Sequence, residues 1–135
     1  MLITKEILDE LTERAKASPR KRMHQDMRDS ESDGSMRMLN AIEPETIIPI
    51  HRHADTSEDV IVLRGEAIEI LYDEQGREQV RYHMQQGSDC IACHVPKGQF
   101  HTCKSLQSGT VIFEFKNGRY DPSTTEEFLK VENIE

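Results

Sequence analysis

Apolar residues recur along this chain with two different periods. Between residues 4 and 18 they follow helical spacing, and Ile7, Leu8, Leu11 and Ala15 form one stripe. Thr4 is placed to cap the start of that helix, and Pro19 ends it, because the residue before a proline avoids the helical region. After a polar stretch, 28 to 35, the period falls to two. Met36, Met38 and Asn40 share one face of a strand, with Arg37, Leu39 and Ala41 on the other. Further strands are predicted over 46–53, 58–63, 66–72, 77–84, 90–95, 101–106 and 110–116. Pro49 marks the second strand as an edge or a bulge. Asp73-Glu74-Gln75-Gly76 reads as a hairpin turn, and other Gly-containing turns separate most of the remaining strands. Short strands at this spacing predict an all-β fold, a sandwich or a barrel, preceded by one α-helix.

The chain has 135 residues, 36% hydrophobic and 31% charged, which suits one domain, 1–135, with a modest core. Within it, 1–19 is the helix, 36–116 the β-core and 117–135 a tail that covers an open edge or packs as a short helix. No apolar run approaches the roughly 20 residues of a membrane span. The formal net charge of -8 opposes a nucleic-acid partner. The three cysteines make a poor disulfide framework, and no secretory signal opens the sequence, so a reducing, cytoplasmic setting is expected. The basic triplet Arg20-Lys21-Arg22 reads first as a solvated surface.

The chemistry concentrates in Pro49-Ile50-His51-Arg52-His53 and in the turn and strand after it. His51 and His53 alternate onto the same face of a strand. Residues 54 to 57 turn the chain, and Glu58 opens the next strand. Downstream, Pro96-Lys97-Gly98-Gln99-Phe100-His101 places a histidine just after a turn. Three imidazoles and one carboxylate are good ligands for a first-row metal, and their spacing alone does not choose among iron, manganese, zinc, nickel and cobalt. Cys103, two residues after His101, points the same way on a strand and is expected in the same cavity. Arg37 and Asn40 are further pocket candidates, although alternation puts them on opposite faces. Arg52, between two histidines, should point outward. Cys90-Ile91-Ala92-Cys93-His94 spells a haem-attachment pattern, but residues i and i+3 of a strand face opposite sides, and a small apolar role suits the cysteines better.

The order of these pieces resembles the cupin superfamily. Residues 51 to 65 match its first motif, H-x-H-x4-E-x6-G, with Glu45 in place of the leading glycine. Pro96, Gly98 and His101 match the second, with Cys90 and Ser105 replacing its leading glycine and trailing asparagine. Nearly the whole chain also looks like the WbuC-type cupin-fold metalloproteins. That likeness rests on Ala17-Ser18-Pro19-Arg20, on Arg37-Met38-Leu39-Asn40-Ala41-Ile42-Glu43-Pro44, on the first histidine motif, and on Gly109-Thr110-Val111-Ile112-Phe113-Glu114 leading to Tyr120-Asp121-Pro122. The resemblance implies a small jelly-roll β-barrel with one divalent metal on His51, His53, Glu58 and His101. It also implies a connection with bacterial surface-polysaccharide (O-antigen) synthesis and, by analogy with cupins that pair through their sheets, a homodimer.

Three functions fit these residues. One is a metal-dependent enzyme acting on a small polar, sugar-like molecule. Another is a small-ligand binding or sensor module in which the metal only orients the ligand. The third is a structural metal site closed by a side chain such as Cys103.

Overall fold

The computed structural model describes residues 1–128. Helix α1 (Lys5–Ala17) precedes ten strands: β1 (Arg22–Asp26), β2 (Ser35–Ile42), β3 (His51–His53), β4 (Glu58–Arg64), β5 (Glu66–Tyr72), β6 (Glu78–Gln85), β7 (Ala92–Val95), β8 (Phe100–Ser105), β9 (Thr110–Asn117) and β10 (Thr125–Glu127). They pair antiparallel in two five-stranded sheets, ordered β1-β2-β9-β4-β7 and β10-β3-β8-β5-β6. The result is a small jelly-roll barrel carrying one helix on its outside.

Alternation along β2 and β9 explains the two apolar layers. Ile42 and Ile112 point inward and pack with Val60, Val62, Ala67, Met84 and Cys103 between the sheets. Leu39, Ala41 and Val111 point outward and meet Leu8, Leu11 and Ala15 of α1. The helix therefore covers a sheet face that would otherwise be apolar and wet. Thr4 caps it by accepting from the Ile7 N–H at 3.4 Å, and Ser18 closes it by donating to the carbonyls of Arg14 and Ala15. Arg64, at the end of β4, ties the helix to the barrel. Its guanidinium donates to the Leu8 carbonyl at 3.1 Å, the Thr12 hydroxyl at 2.9 Å and the Gly109 carbonyl at 2.9 Å, and pairs with Asp9.

Gly65 makes the turn between β4 and β5 with φ +88°, and a Cβ there would sit 2.8 Å from the Thr110 Cα. Both facts demand glycine at the end of the first histidine motif.

The structure departs from the sequence reading in two places. The strand predicted over 46–53 is only β3, three residues long, because Pro49 has no N–H to give and Thr46 turns back to accept from the Glu43 N–H at 2.9 Å. Strands β1 and β10, both at sheet edges, were not predicted. The tail, read over 117–135 as covering an open edge or packing as a short helix, turns through a 3-10 segment, Pro122–Thr124, and adds β10 to the edge beside β3. Residues 129–135 of that tail lie outside the described residues.

Candidate metal centre

Three strands bring the predicted ligands together. His51 and His53 are the ends of β3, His101 lies opposite His51 in β8, and Glu58 opens β4 in the facing sheet. The Pro96–Gly98 turn is anchored to β3, since the Gly98 N–H donates to the His53 carbonyl at 2.8 Å. The rings of His51 and His101 are 4.4 Å apart, those of His51 and His53 5.0 Å, and those of His53 and His101 5.8 Å.

Each imidazole is held by its Nδ1. That of His51 lies 2.8 Å from the Pro49 carbonyl, that of His101 2.8 Å from the Gln99 carbonyl, and that of His53 3.1 Å from the Thr125 hydroxyl. A carbonyl only accepts, so Nδ1 carries the proton in His51 and His101, and Nε2 is the nitrogen left for a ligand. Nε2 of His53 and of His101 is buried without a hydrogen-bond partner. Glu58 stands beside both, 3.4 Å from His53 Nε2 and 3.2 Å from His101 Nε2.

Glu69 is the residue that sequence reading missed. It lies in β5 with both carboxyl oxygens buried and unpartnered, 3.9 Å from His101 Nε2 at the nearer one. The signal was available: alternation sets Glu69 in the same inward row as Ala67 and Leu71, where a carboxylate has no packing reason to be. Glu114 and Lys116 of β9 also face inward, and Lys116 Nζ comes within 3.6 Å of Glu58. One ligating atom from each of His51, His53 and His101 falls within 4.8 Å of the others, and the same holds for Glu58, Glu69 and His101.

The charges are strongly perturbed. Burial pushes Glu58 up, but His101, His53 and Lys116 together hold it well below the usual carboxylate range. Burial pulls His101 down, yet the contact with Glu58 and the charges of Glu58 and Glu69 raise it to about 9. Burial lowers His51 to about 4 and raises Glu69 to about 8 and Glu114 to about 7. Without a metal, the centre is thus an ionised Glu58 against a protonated His101, with Glu69 and Glu114 both shifted toward their neutral forms by burial.

These side chains form the floor of a cavity of about 650 Å³, whose rim includes exposed residues of β1 and β10. Cys103 and Asn40 line it, and burial raises the Cys103 thiol well above its usual range. Arg37 does not line it. Its guanidinium lies on the outer face of β2, 2.8 Å from Asp33 and 3.1 Å from the Ser35 carbonyl, as alternation against Asn40 requires. Arg52 also faces away, spread over the Phe100 ring and bound to Glu74 and Glu126. Cys90 is exposed on the approach to β7, while Cys93 packs against the barrel core. His83 and His94 are exposed and sit beside Glu66 and Asp59 respectively. His24 is exposed at the cavity rim.

No helix among the described residues is long and apolar enough to cross a membrane. No curated protein matches the chain. Among solved structures, CapF in complex with the inhibitor 3-isopropenyl-tropolone superposes with a TM-score of 0.69 at 18% identity, covering 82% of this chain and 32% of that one. CapF from Staphylococcus aureus, described as a capsular polysaccharide assembling protein, gives a TM-score of 0.66 at 18% identity over 78% of this chain and 29% of that one. Oxalate decarboxylase from Bacillus subtilis gives 0.61 at 19% identity over 84% of this chain and 29% of that one. The chain thus spans about a third of the length of these proteins, and the likeness is one of fold, the cupin fold. A family model described as "Domain of unknown function (DUF6016)" matches residues 3–84, more than half of the sequence, and the chain belongs to that family.

Proposed function

We propose that this protein is a metal-dependent cupin enzyme acting on a small polar, sugar-like molecule, with the metal held by His51, His53, Glu58 and His101. The observation that carries this is the orientation of the imidazoles: Nδ1 is occupied in all three, while the buried Nε2 atoms of His53 and His101 have no hydrogen-bond partner. In the metal-free chain the Glu58 carboxylate faces both Nε2 atoms and the proton of His101 balances it; a cation bound there would replace that proton and accept the Nε2 lone pairs. The donor set, three nitrogens and one oxygen, fits a divalent transition metal.

A metal bound there supplies a Lewis acid to an oxygen of the bound molecule. The chain's own residues supply the rest. Lys116 Nζ, 3.6 Å from Glu58, adds a fixed positive charge to the histidines that face that carboxylate. Glu69, whose carboxyl oxygens are buried without a hydrogen-bond partner, is placed to exchange a proton with a molecule bound inside the cavity. The barrel core beneath the site keeps water from the inner side, and the volume of about 650 Å³ suits a ligand of monosaccharide size or somewhat larger.

The resemblance to WbuC-type proteins and the part of CapF in capsular polysaccharide assembly both favour a substrate from surface-polysaccharide synthesis. The test is elemental analysis of protein purified without a chelating tag, alongside His53→Ala. About one equivalent of a transition metal in the wild type and none in the variant is expected. Metal-free wild type after reconstitution would leave a small-ligand binding module as the better reading.

A further inference from the structure

The rim of the cavity carries an unneutralised positive pair. Arg20 and Arg22 both line it, Arg20 exposed and Arg22 half-buried. The other cations of the cavity wall are answered: Arg28 by Asp26 at 2.7 Å and Lys116 by Glu58 at 3.6 Å. Among the described residues, the guanidinium groups of Arg20 and Arg22 have no ion-pair or hydrogen-bond partner. Burial, then the charge of Arg20, depress the Arg22 pKa, and Glu114 opposes them. A guanidinium half-removed from water beside a like charge is costly unless an anion joins it.

The backbone fixes the position of this pair. Lys21, between the two arginines, has φ 55°, a left-handed conformation uncommon for a residue with a side chain. It is held from three directions. Its N–H donates to the Ser18 carbonyl at 3.0 Å, its carbonyl accepts from the Glu43 N–H at 3.1 Å and from the buried Thr46 hydroxyl, and its ammonium donates to the Lys16 carbonyl at 2.8 Å. Glu43 is itself locked, accepting from the Ser108 hydroxyl at 2.6 Å and the Gly109 N–H at 2.7 Å. The basic triplet is therefore divided. Lys21 finishes the end of the helix, and the two arginines go to the cavity.

We propose that the cavity takes an anionic small molecule, a hydroxylated carboxylate or phosphate ester, whose charged group is held at the rim by Arg22 with Arg20 while its neutral hydroxylated part reaches the imidazole cluster. This deepens the reading of the cavity as a ligand site and rests on it. A chain of net charge -8 repels anions over most of its surface, so a local positive pair at this cavity selects where an anion docks. Arginine suits the task because its planar fork binds a carboxylate or phosphate through two parallel hydrogen bonds.

The test is calorimetric titration of the full chain with three probes that share one carbon skeleton: glycerate, glycerol 3-phosphate and glycerol. It is run on wild type, Arg22→Met, Arg22→Lys and the exposed-site variant Arg20→Met, with metal content and circular dichroism recorded for each. One or both acids should bind saturably while glycerol does not. Arg22→Met should weaken that binding about tenfold or more, with Arg22→Lys recovering part of it and Arg20→Met losing less. Binding of the phosphate alone or of the carboxylate alone identifies the charged group. Glycerol binding as tightly as the acids, neither acid binding, or a folded Arg22→Met that binds like wild type overturns the proposal; if Arg22→Met does not fold, acid binding unchanged in Arg20→Met and insensitive to salt does so. The same titration on His53→Ala separates the two readings: acid binding that still depends on Arg22 in protein without metal upholds the anion site whether or not the metal reading stands.

Discussion

At the residue scale, the ligands themselves are less informative than the groups that hold them. His51 and His101 are oriented by backbone carbonyls, which no substitution removes, but His53 depends on the hydroxyl of Thr125 from a different strand. Thr125→Val keeps the shape of the side chain and removes that partner. Metal affinity should fall about tenfold to a hundredfold, as for other losses of a group that orients a metal-bound histidine, with little change in the stability of the metal-free protein. Competition with a chelator measures it, and unchanged affinity would show that β3 alone fixes the ring. Gly65 tests the fold at the same scale. Its positive φ and the approach of Thr110 should make Gly65→Ala cost about 1–3 kcal/mol, seen as a lower denaturation midpoint in urea.

At the element scale, α1 contributes to stability and stands apart from the site. Leu11 is 2% exposed, packed in the cluster formed by α1, β2 and β9. Leu11→Ala should destabilise the fold by about 2–5 kcal/mol while leaving metal stoichiometry unchanged in the fraction that folds. This helix was readable because its stripe, its cap and its terminating proline agreed. Strand β9 was readable because its residues alternate, and β5 because an apolar-rich run lies between two turns. Strands β1, Arg-Met-His-Gln-Asp, and β10, Thr-Glu-Glu, have no apolar alternation to read. They exist because β2 and β3 offer them an unpaired edge, a tertiary cause that leaves no mark in their own residues. The same gap explains the site. His51, His53, Glu58 and His101 converge on strands whose spacing announced them. Alternation alone could have flagged Glu69, whereas Arg22 became visible only once the inward rows of β5 and β1 were known to share one cavity.

At the scale of the whole molecule, the buried centre ties stability to pH, and two groups set the sign. His101 is raised in the folded chain from its ordinary value of 6.5 to about 9. The stability it contributes is complete below 6.5 and is lost as pH rises through 9. Glu69 is raised from 4.5 to about 8, so the unfolded chain ionises it more readily, and stability also falls as pH climbs from 4.5 to 8. Both act in the same direction, and the metal-free protein should melt at progressively lower temperature between pH 6.5 and 9. Glu69→Gln, which keeps a neutral side chain at every pH, should flatten the part of that decline below pH 8. A metal reverses the relation. Its binding must displace the proton on His101 Nε2, so affinity should rise with pH up to about 9 and each binding event should release a proton, detected as a dependence of the calorimetric heat on the buffer's ionisation enthalpy. The difference in melting temperature between metal-loaded and metal-free protein should therefore widen across the same window, because the free form loses the stability of its protonated His101 while the bound form has no proton there to lose. A difference that stays constant from pH 6.5 to 9 would mean that the metal leaves the His101–Glu58 pair untouched, and His101 would have to be withdrawn from the ligand set.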